Sequence, residues 1–236
     1  MSTAETSEST GIVLHWLEQS RSHRILWLLE ELQLPYTLKV YKRDPKTYRA
    51  EESLKEVHPL GKSPVITDNG NVMAESTVII DYLIHKYGAS SPLVPKTAEL
   101  ENEVKYYLAF AESSLQSNLL VLFVSNHVRQ SRVPFFVRPV VNRVSDNIDG
   151  SFLPDIKTQL DYLESRLKTN GTGYFVGDSL TGADIILIFP LQLAKSRAGL
   201  TEEQYPLLWK WIEQMEGRDA YVRASRKVAP VAGSKI

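Results

Sequence analysis

Three stretches in the first third of the chain hold residue types that can do chemistry. Ser20-Arg21-Ser22-His23-Arg24 sets two hydroxyls and two arginines where an apolar run gives way to a helical pattern. His58-Pro59-Leu60-Gly61-Lys62-Ser63-Pro64-Val65 contains a Gly-Lys-Ser triplet. Glu75-Ser76 pairs an acid and a hydroxyl at the start of a second helical pattern. The triplet invites a phosphate-loop reading, but that motif needs a glycine where Glu56 stands, and Pro64 blocks the helix whose amides would hold phosphate. A turn that enters a strand through an X-Pro bond remains. A helix beginning at Glu75-Ser76 offers free amides and a partial positive charge, which suits either a bound carboxylate or simple capping.

The elements that must position these residues can be read from periodicity. Gly11–Trp16 is a short apolar run suited to a buried strand, and Ile25, Leu28, Leu29 and Leu32 make a helical stripe within Ser20–Gln33. Pro35 ends that helix, and Tyr36–Tyr41 reads as a second strand. Val65-Ile66-Thr67 and Asn71-Val72-Met73 flank Asp68-Asn69-Gly70, a hairpin signal. Ile79, Ile80, Leu83 and Tyr87 align in a helix from Glu75 to Tyr87. The order is β-α-β, then β-β-α.

Gly88–Pro95 breaks every pattern and reads as a linker. Beyond it all signals are helical. Val104, Tyr107, Leu108, Ala111, Leu115, Leu119 and Leu122 fit one long helix, and Pro134 and Pro139 bound or kink the next segment. Ile156, Leu160, Leu163 and Leu167 mark another helix, stopped at Gly171-Thr172-Gly173. Ile185–Leu193 is apolar nearly all round, as a domain's central helix should be. Thr181-Gly182-Ala183-Asp184 before it is a capping box, with Leu180 and Ile185 at the staple positions. Leu208, Trp211, Ile212 and Met215 give a last amphipathic helix.

Composition excludes several function classes. The 236 residues include no cysteine, which removes disulfides, thiolate metal sites and cysteine nucleophiles. Lys plus Arg is 27 against 28 Asp plus Glu, a formal charge of -1, which gives no whole-chain attraction to nucleic acid or anionic membrane. No run approaches the roughly 18 consecutive apolar residues of a bilayer crossing. MSTAETSEST at the start reads as a disordered tail, not a signal peptide. Asn170-Gly171-Thr172 matches a glycosylation sequon but reads as a turn. The terminal Ser234-Lys235-Ile236 misses a peroxisomal Ser-Lys-Leu address by one residue, leaving the cytosol as the expected location.

The strand followed by Ser20-x-x-x-Arg24, then Leu60-Gly-Lys-Ser-Pro64-Val65, then Ala74-Glu75-Ser76, resembles the cytosolic glutathione transferases of the serine type. His15-Trp16-Leu17 and Trp27-Leu-Leu-Glu-Glu31 look like a fungal and bacterial branch. The resemblance spans about residues 11 to 230. After the tail at 1–10, it implies a thioredoxin-like glutathione-binding domain at 11–88, a linker at 89–98 and an all-helical domain at 99–236. It implies glutathione as co-substrate, no metal, a small hydrophobic electrophile as second substrate, and a homodimer. The activity implied is conjugation, with glutathione-dependent peroxide reduction beside it; a non-catalytic carrier of glutathione or hydrophobic ligands is the alternative on the same fold.

Carried over residue by residue, Ser20 would stabilise the thiolate, with Ser22 as alternative donor. Val65, after a cis Pro64, would pair with the cysteinyl backbone. Ser76 and the helix amides would meet the γ-glutamyl carboxylate, and Glu75 its ammonium. Lys62, or Lys42, would meet the glycyl carboxylate. The second substrate would draw on Tyr106, Tyr107, Phe110, Asn118 and Phe123, and Arg24 would act behind the site or anchor its helix.

Overall fold

The computed structural model describes residues 11–230, so the expected tail at 1–10 and the Ser234–Ile236 end lie outside the described residues. The chain divides into two compact units: residues up to Val94 with those from Gly217 onward, and Pro95–Glu216.

The first unit begins β1 (Ile12–Leu17), α1 (Ser22–Glu31), β2 (Tyr36–Tyr41), α2 (Ser53–Val57), β3 (Val65–Asp68), β4 (Asn71–Ala74) and α3 (Ser76–Tyr87). The sheet order is β2-β1-β3-β4; β1 runs parallel to β2 and antiparallel to β3, and β4 antiparallel to β3. This is the expected thioredoxin-like domain. All six residues of β1 are buried, because a central strand with parallel pairing has both faces covered. The β3–β4 turn carries Asn69 at φ 48° and Gly70 at φ 82°, the two left-handed positions that an Asn-Gly hairpin turn requires.

The second unit holds α4 (Ala98–Phe110) and α5 (Gln116–Arg129), fused by a π turn over Ala111–Leu115, then α6 (Arg138–Asn170), α7 (Gly182–Arg197) and α8 (Pro206–Glu216). It is the expected helical domain. Ala98–Arg129 is long and apolar enough to cross a membrane by length and composition alone. Here its stripe of Val104, Tyr107, Leu108, Ala111, Leu115, Leu119 and Leu122 is buried in the unit. Ile185, Ile186, Leu187 and Leu191 of α7 are all at most 1% exposed, which makes α7 the core helix. Its capping box is formed: the Thr181 hydroxyl accepts from Ala183 N at 3.3 Å, and Asp184 Oδ2 accepts from Thr181 N at 3.0 Å. Asp184 Oδ1 also accepts from Phe175 N and from Trp211 Nε1, at 3.2 and 3.1 Å, so the box ties α7 to the loop before it and to α8.

Two elements differ from the sequence reading. α6 starts at Arg138 and runs 33 residues, straight through Pro154. Its first half packs along α5, where Ser125 and Ser145 exchange hydroxyl-to-carbonyl hydrogen bonds at 3.3 Å, and that packing overrides the proline. The chain also forms α9 (Asp219–Val228), which packs on α1 and so belongs with the first unit, although it comes after the helical segment. Glu30 accepts from Arg223 Nε at 3.0 Å and Lys227 Nζ at 2.6 Å, while Glu31 accepts from Arg218 at 2.6 and 3.0 Å.

Candidate functional site

Strand register places the candidates. The parallel β1–β2 pair sets Leu17 beside Tyr41, so Ser20 and Lys42 come next at the same end of the sheet. The antiparallel pairs set His15 beside Val65 and Val65 beside Ala74, so β3 begins and β4 ends there too. Ser20, Lys42, Lys62, Pro64, Val65, Glu75 and Ser76 therefore gather at one end of one sheet.

The β1–α1 corner is built around two hydroxyls. Ser20 donates to the Leu17 carbonyl at 2.7 Å, and its Oγ lies 2.7 Å from Ser22 Oγ. Ser22 N donates to Ser20 Oγ, and Leu17 N donates to Ser22 Oγ, both at 3.2 Å. Ser20 is half-buried, whereas Ser22 is fully buried. Of the two, Ser20 alone presents surface to a ligand, with Ser22 directly behind it. Arg43, which the sequence did not single out, fixes the approach: its guanidinium donates to the carbonyls of Glu18, Gln19 and Tyr48 at 3.1, 3.2 and 2.8 Å.

The Ser63–Pro64 peptide is cis, and Ser63 Oγ donates to the His15 carbonyl at 2.8 Å, which pins this loop to β1. The His15 ring meets Tyr41 Oη through Nδ1 at 2.9 Å; burial first, and the nearby Lys39 charge second, lower its pKa to about 4. It is a neutral ring at physiological pH.

Glu75 precedes α3 with φ 70° and ψ 122°, a sparsely populated conformation for a residue with a side chain. Its side chain is exposed, while Ser76 is 3% exposed. Arg24, 1% exposed, donates from Nη2 to Ser76 Oγ at 2.7 Å. An arginine has only donors, so the Ser76 hydroxyl proton points away from it. Arg24 thus joins the first turn of α1 to the first turn of α3. Its position one turn after Ser20 was legible in the sequence; its partner was not.

Lys42 and Lys62 are exposed. In the second unit Tyr106 and Phe110 stack with ring centres 5.8 Å apart, and Tyr162 meets both edge-on. Tyr107 is 1% exposed, with its hydroxyl accepting from Arg166 Nε at 3.0 Å, so it faces the helical core. Asn118 is half-buried, and Phe123 is exposed beneath the Arg197 guanidinium. Among the described residues no group of three His, Cys, Asp or Glu side chains could hold a metal ion.

Comparison with known proteins decides the family. The family model for the glutathione S-transferase N-terminal domain matches residues 20–86, and that for the C-terminal domain residues 150–219. Glutathione S-transferase 1 of Saccharomyces cerevisiae is 36% identical over 95% of this chain and 98% of its own length. The chain belongs to the glutathione transferase family. A solved glutathione S-transferase from Actinobacillus pleuropneumoniae is 35% identical, covers 92% of this chain and 93% of its own, and superposes with a TM-score of 0.74. A sphingomonad glutathione S-transferase, solved in complex with glutathione, shares the fold at a TM-score of 0.71 and 21% identity, over 92% of this chain and 98% of its own. In this transferase Ser20, Val65 and Ser76 stand together at one end of the sheet of the first unit.

Proposed function

We propose that this transferase binds glutathione at that end of the sheet and stabilises its thiolate through Ser20, for attack on small hydrophobic electrophiles and for the reduction of peroxides. The observation that carries the reading is the half-buried Ser20 hydroxyl, backed at 2.7 Å by the buried Ser22 hydroxyl, at the mouth of a helix. A free thiol of pKa about 8.5 is mostly protonated near neutrality, and each unit of lowering represents about 1.4 kcal/mol of preference for the thiolate. Ser20 turns its proton from the Leu17 carbonyl to the sulfur, Ser22 donates into the Ser20 oxygen, and the chain of hydroxyls polarises towards the anion. The sulfur then attacks the electrophilic carbon, the C–S bond forms as the leaving group departs, and the thiol proton goes to solvent.

The peptide is held by the other residues at that end. Val65, after cis Pro64, pairs with the cysteinyl backbone. Ser76, with its proton turned outward by Arg24, and the free amides of α3 take the γ-glutamyl carboxylate, and Glu75 its ammonium. Lys62, with Lys42 as the alternative, takes the glycyl carboxylate. Tyr106, Phe110, Asn118 and Phe123 supply apolar and polar surface for the second substrate. The glutathione-binding domain covers 11–88, and the enzyme works as a cytosolic homodimer.

Glutathione-agarose chromatography with a chromogenic aryl-halide assay and a hydroperoxide assay tests this. Retention with turnover of either class supports the proposal. Retention without turnover on any electrophile or hydroperoxide makes the protein a carrier, and failure to bind the column removes the site.

A further inference from the structure

The end of the second unit where α5 turns into α6 has no part in the proposed glutathione chemistry, and its surface is unusual. From Ser113 to Ser145 the sequence has no Asp, Glu or Lys but has Arg129, Arg132, Arg138 and Arg143, in a chain whose formal charge is -1. The near-neutral total hides a local basic excess. Arg129 is offset by Asp146 and Asp149, at 2.7 and 2.6 Å. Arg138 donates to the carbonyls of Arg129 and Ser131 at 2.7 and 2.8 Å, so it closes the loop yet keeps its charge. Arg132 and Arg143 are exposed.

Beside these cations Phe135 is 87% exposed, Phe136 69% and Val140 62%. The two rings meet edge to face at 5.6 Å, and the backbone beneath them is fixed by Val137 N to Pro134 O at 3.0 Å and Arg138 N to Phe135 O at 3.3 Å. The loop is thus an ordered turn that holds two phenylalanines in water, where they add nothing to the stability of the chain alone.

We propose that this tip docks the protein on anionic phospholipid bilayers, with Phe135, Phe136 and Val140 entering the headgroup–acyl boundary and Arg132, Arg138 and Arg143 facing headgroup phosphates and carboxylates. Charge complementarity selects this occupant. A second copy docked tip to tip across a two-fold axis would set one arginine cluster against the other, and like charges repel. Each cation near an anionic surface strengthens partition about fivefold. Binding is therefore reversible and salt-sensitive, a contact with the surface rather than a crossing.

Sedimentation of the full chain with unilamellar vesicles tests it. Vesicles about one-third phosphatidylserine should retain the protein at least roughly tenfold better than pure phosphatidylcholine at low salt, and added salt should release it. Phe135→Asp with Phe136→Asp should abolish retention without lowering the melting temperature, since both side chains are exposed. Arg132→Gln with Arg143→Gln keeps the apolar tip and should cut the phosphatidylserine preference to the roughly fivefold that Arg138 alone supplies, which preserves the test if the aspartate pair fails to fold. Equal retention on both lipids, or retention unaffected by either pair, overturns the proposal. So does a parent that ignores vesicles but whose dimer is split by the aspartate pair, because the tip would then be an interface between copies.

Discussion

Two hydroxyls two residues apart divide their labour by burial. Ser22, fully buried, takes Leu17 N and leans on Ser20, which faces outward. Sequence alone leaves both serines as candidate donors, because spacing does not say which side of a corner meets solvent. Arg24 illustrates the same limit: a buried arginine must find an acceptor, and only the fold shows that the acceptor is Ser76, on another helix. At this scale Ser76→Ala should weaken glutathione binding by about 1.5–3 kcal/mol, the worth of a hydrogen bond to a charged group. Titration calorimetry reads it directly, and an unchanged dissociation constant would remove Ser76 from the site.

Elements were legible where local chemistry and burial agree. β2 falls on Tyr36–Tyr41, where Pro35 ends the helix and strand-forming residue types follow, and the Asn69-Gly70 hairpin and the Thr181 box form as their residue types require. The first half of α6 was hidden because Pro154 and Gly150 speak against a helix, and α5 supplies the packing that outvotes them. α9 was missed although Ala220, Tyr221, Ala224 and Val228 form a buried stripe; few apolar residues in a basic stretch make a weak signal. It matters because it braces α1, the helix that begins at the serine corner. Burial alone would raise the Glu30 pKa, but hydrogen bonds from Lys227, Tyr36 and Arg223 hold it below the usual range. Glu30→Gln removes that charge from beneath cations that are themselves about half exposed, at 47% and 49%. It should therefore cost about 1–2 kcal/mol in urea unfolding, between the value of a surface pair and that of a buried one. A variant as stable as the parent would mean that α9 holds α1 by its apolar stripe alone.

Over the whole molecule, buried ionisable groups set the response to acid. Burial lowers the pKa of His23 to about 4, and burial with the Lys39 charge does the same for His15. Both bind protons in the unfolded chain below about 6.5, before the folded protein does. Their stabilising contribution is complete above that pH and is lost as pH falls towards 4. Asp184 runs the other way: burial raises it to about 6 against the hydrogen bonds it accepts, so folding takes up a proton there as pH falls. Two protons against one leave roughly one net, so unfolding free energy should drop by about 1.4 kcal/mol per pH unit between about pH 6 and 4.5. His23→Gln should flatten that slope; a parent whose stability is flat across this window would show that the histidines titrate as they do in water.

The family was readable from the order and spacing of motifs scattered over the chain, because a fold needs its corners at fixed intervals. The identity of the proposed electrophile was not, since the helical surface around Tyr106 and Phe110 that we propose for it carries no motif. The central claim is that Ser20 donates to the bound thiolate. The ultraviolet absorbance of thiolate in the glutathione complex, titrated with pH for the parent and for Ser20→Ala, tests it most directly. The parent should show a thiol pKa clearly below the free value of about 8.5, and the variant one moved back towards it, with glutathione still bound. Turnover near neutrality should fall about 10- to 1000-fold, as for loss of one donor to an anion. A variant that keeps both the parental thiol pKa and the parental turnover would contradict the claim and leave Ser20 as a helix cap.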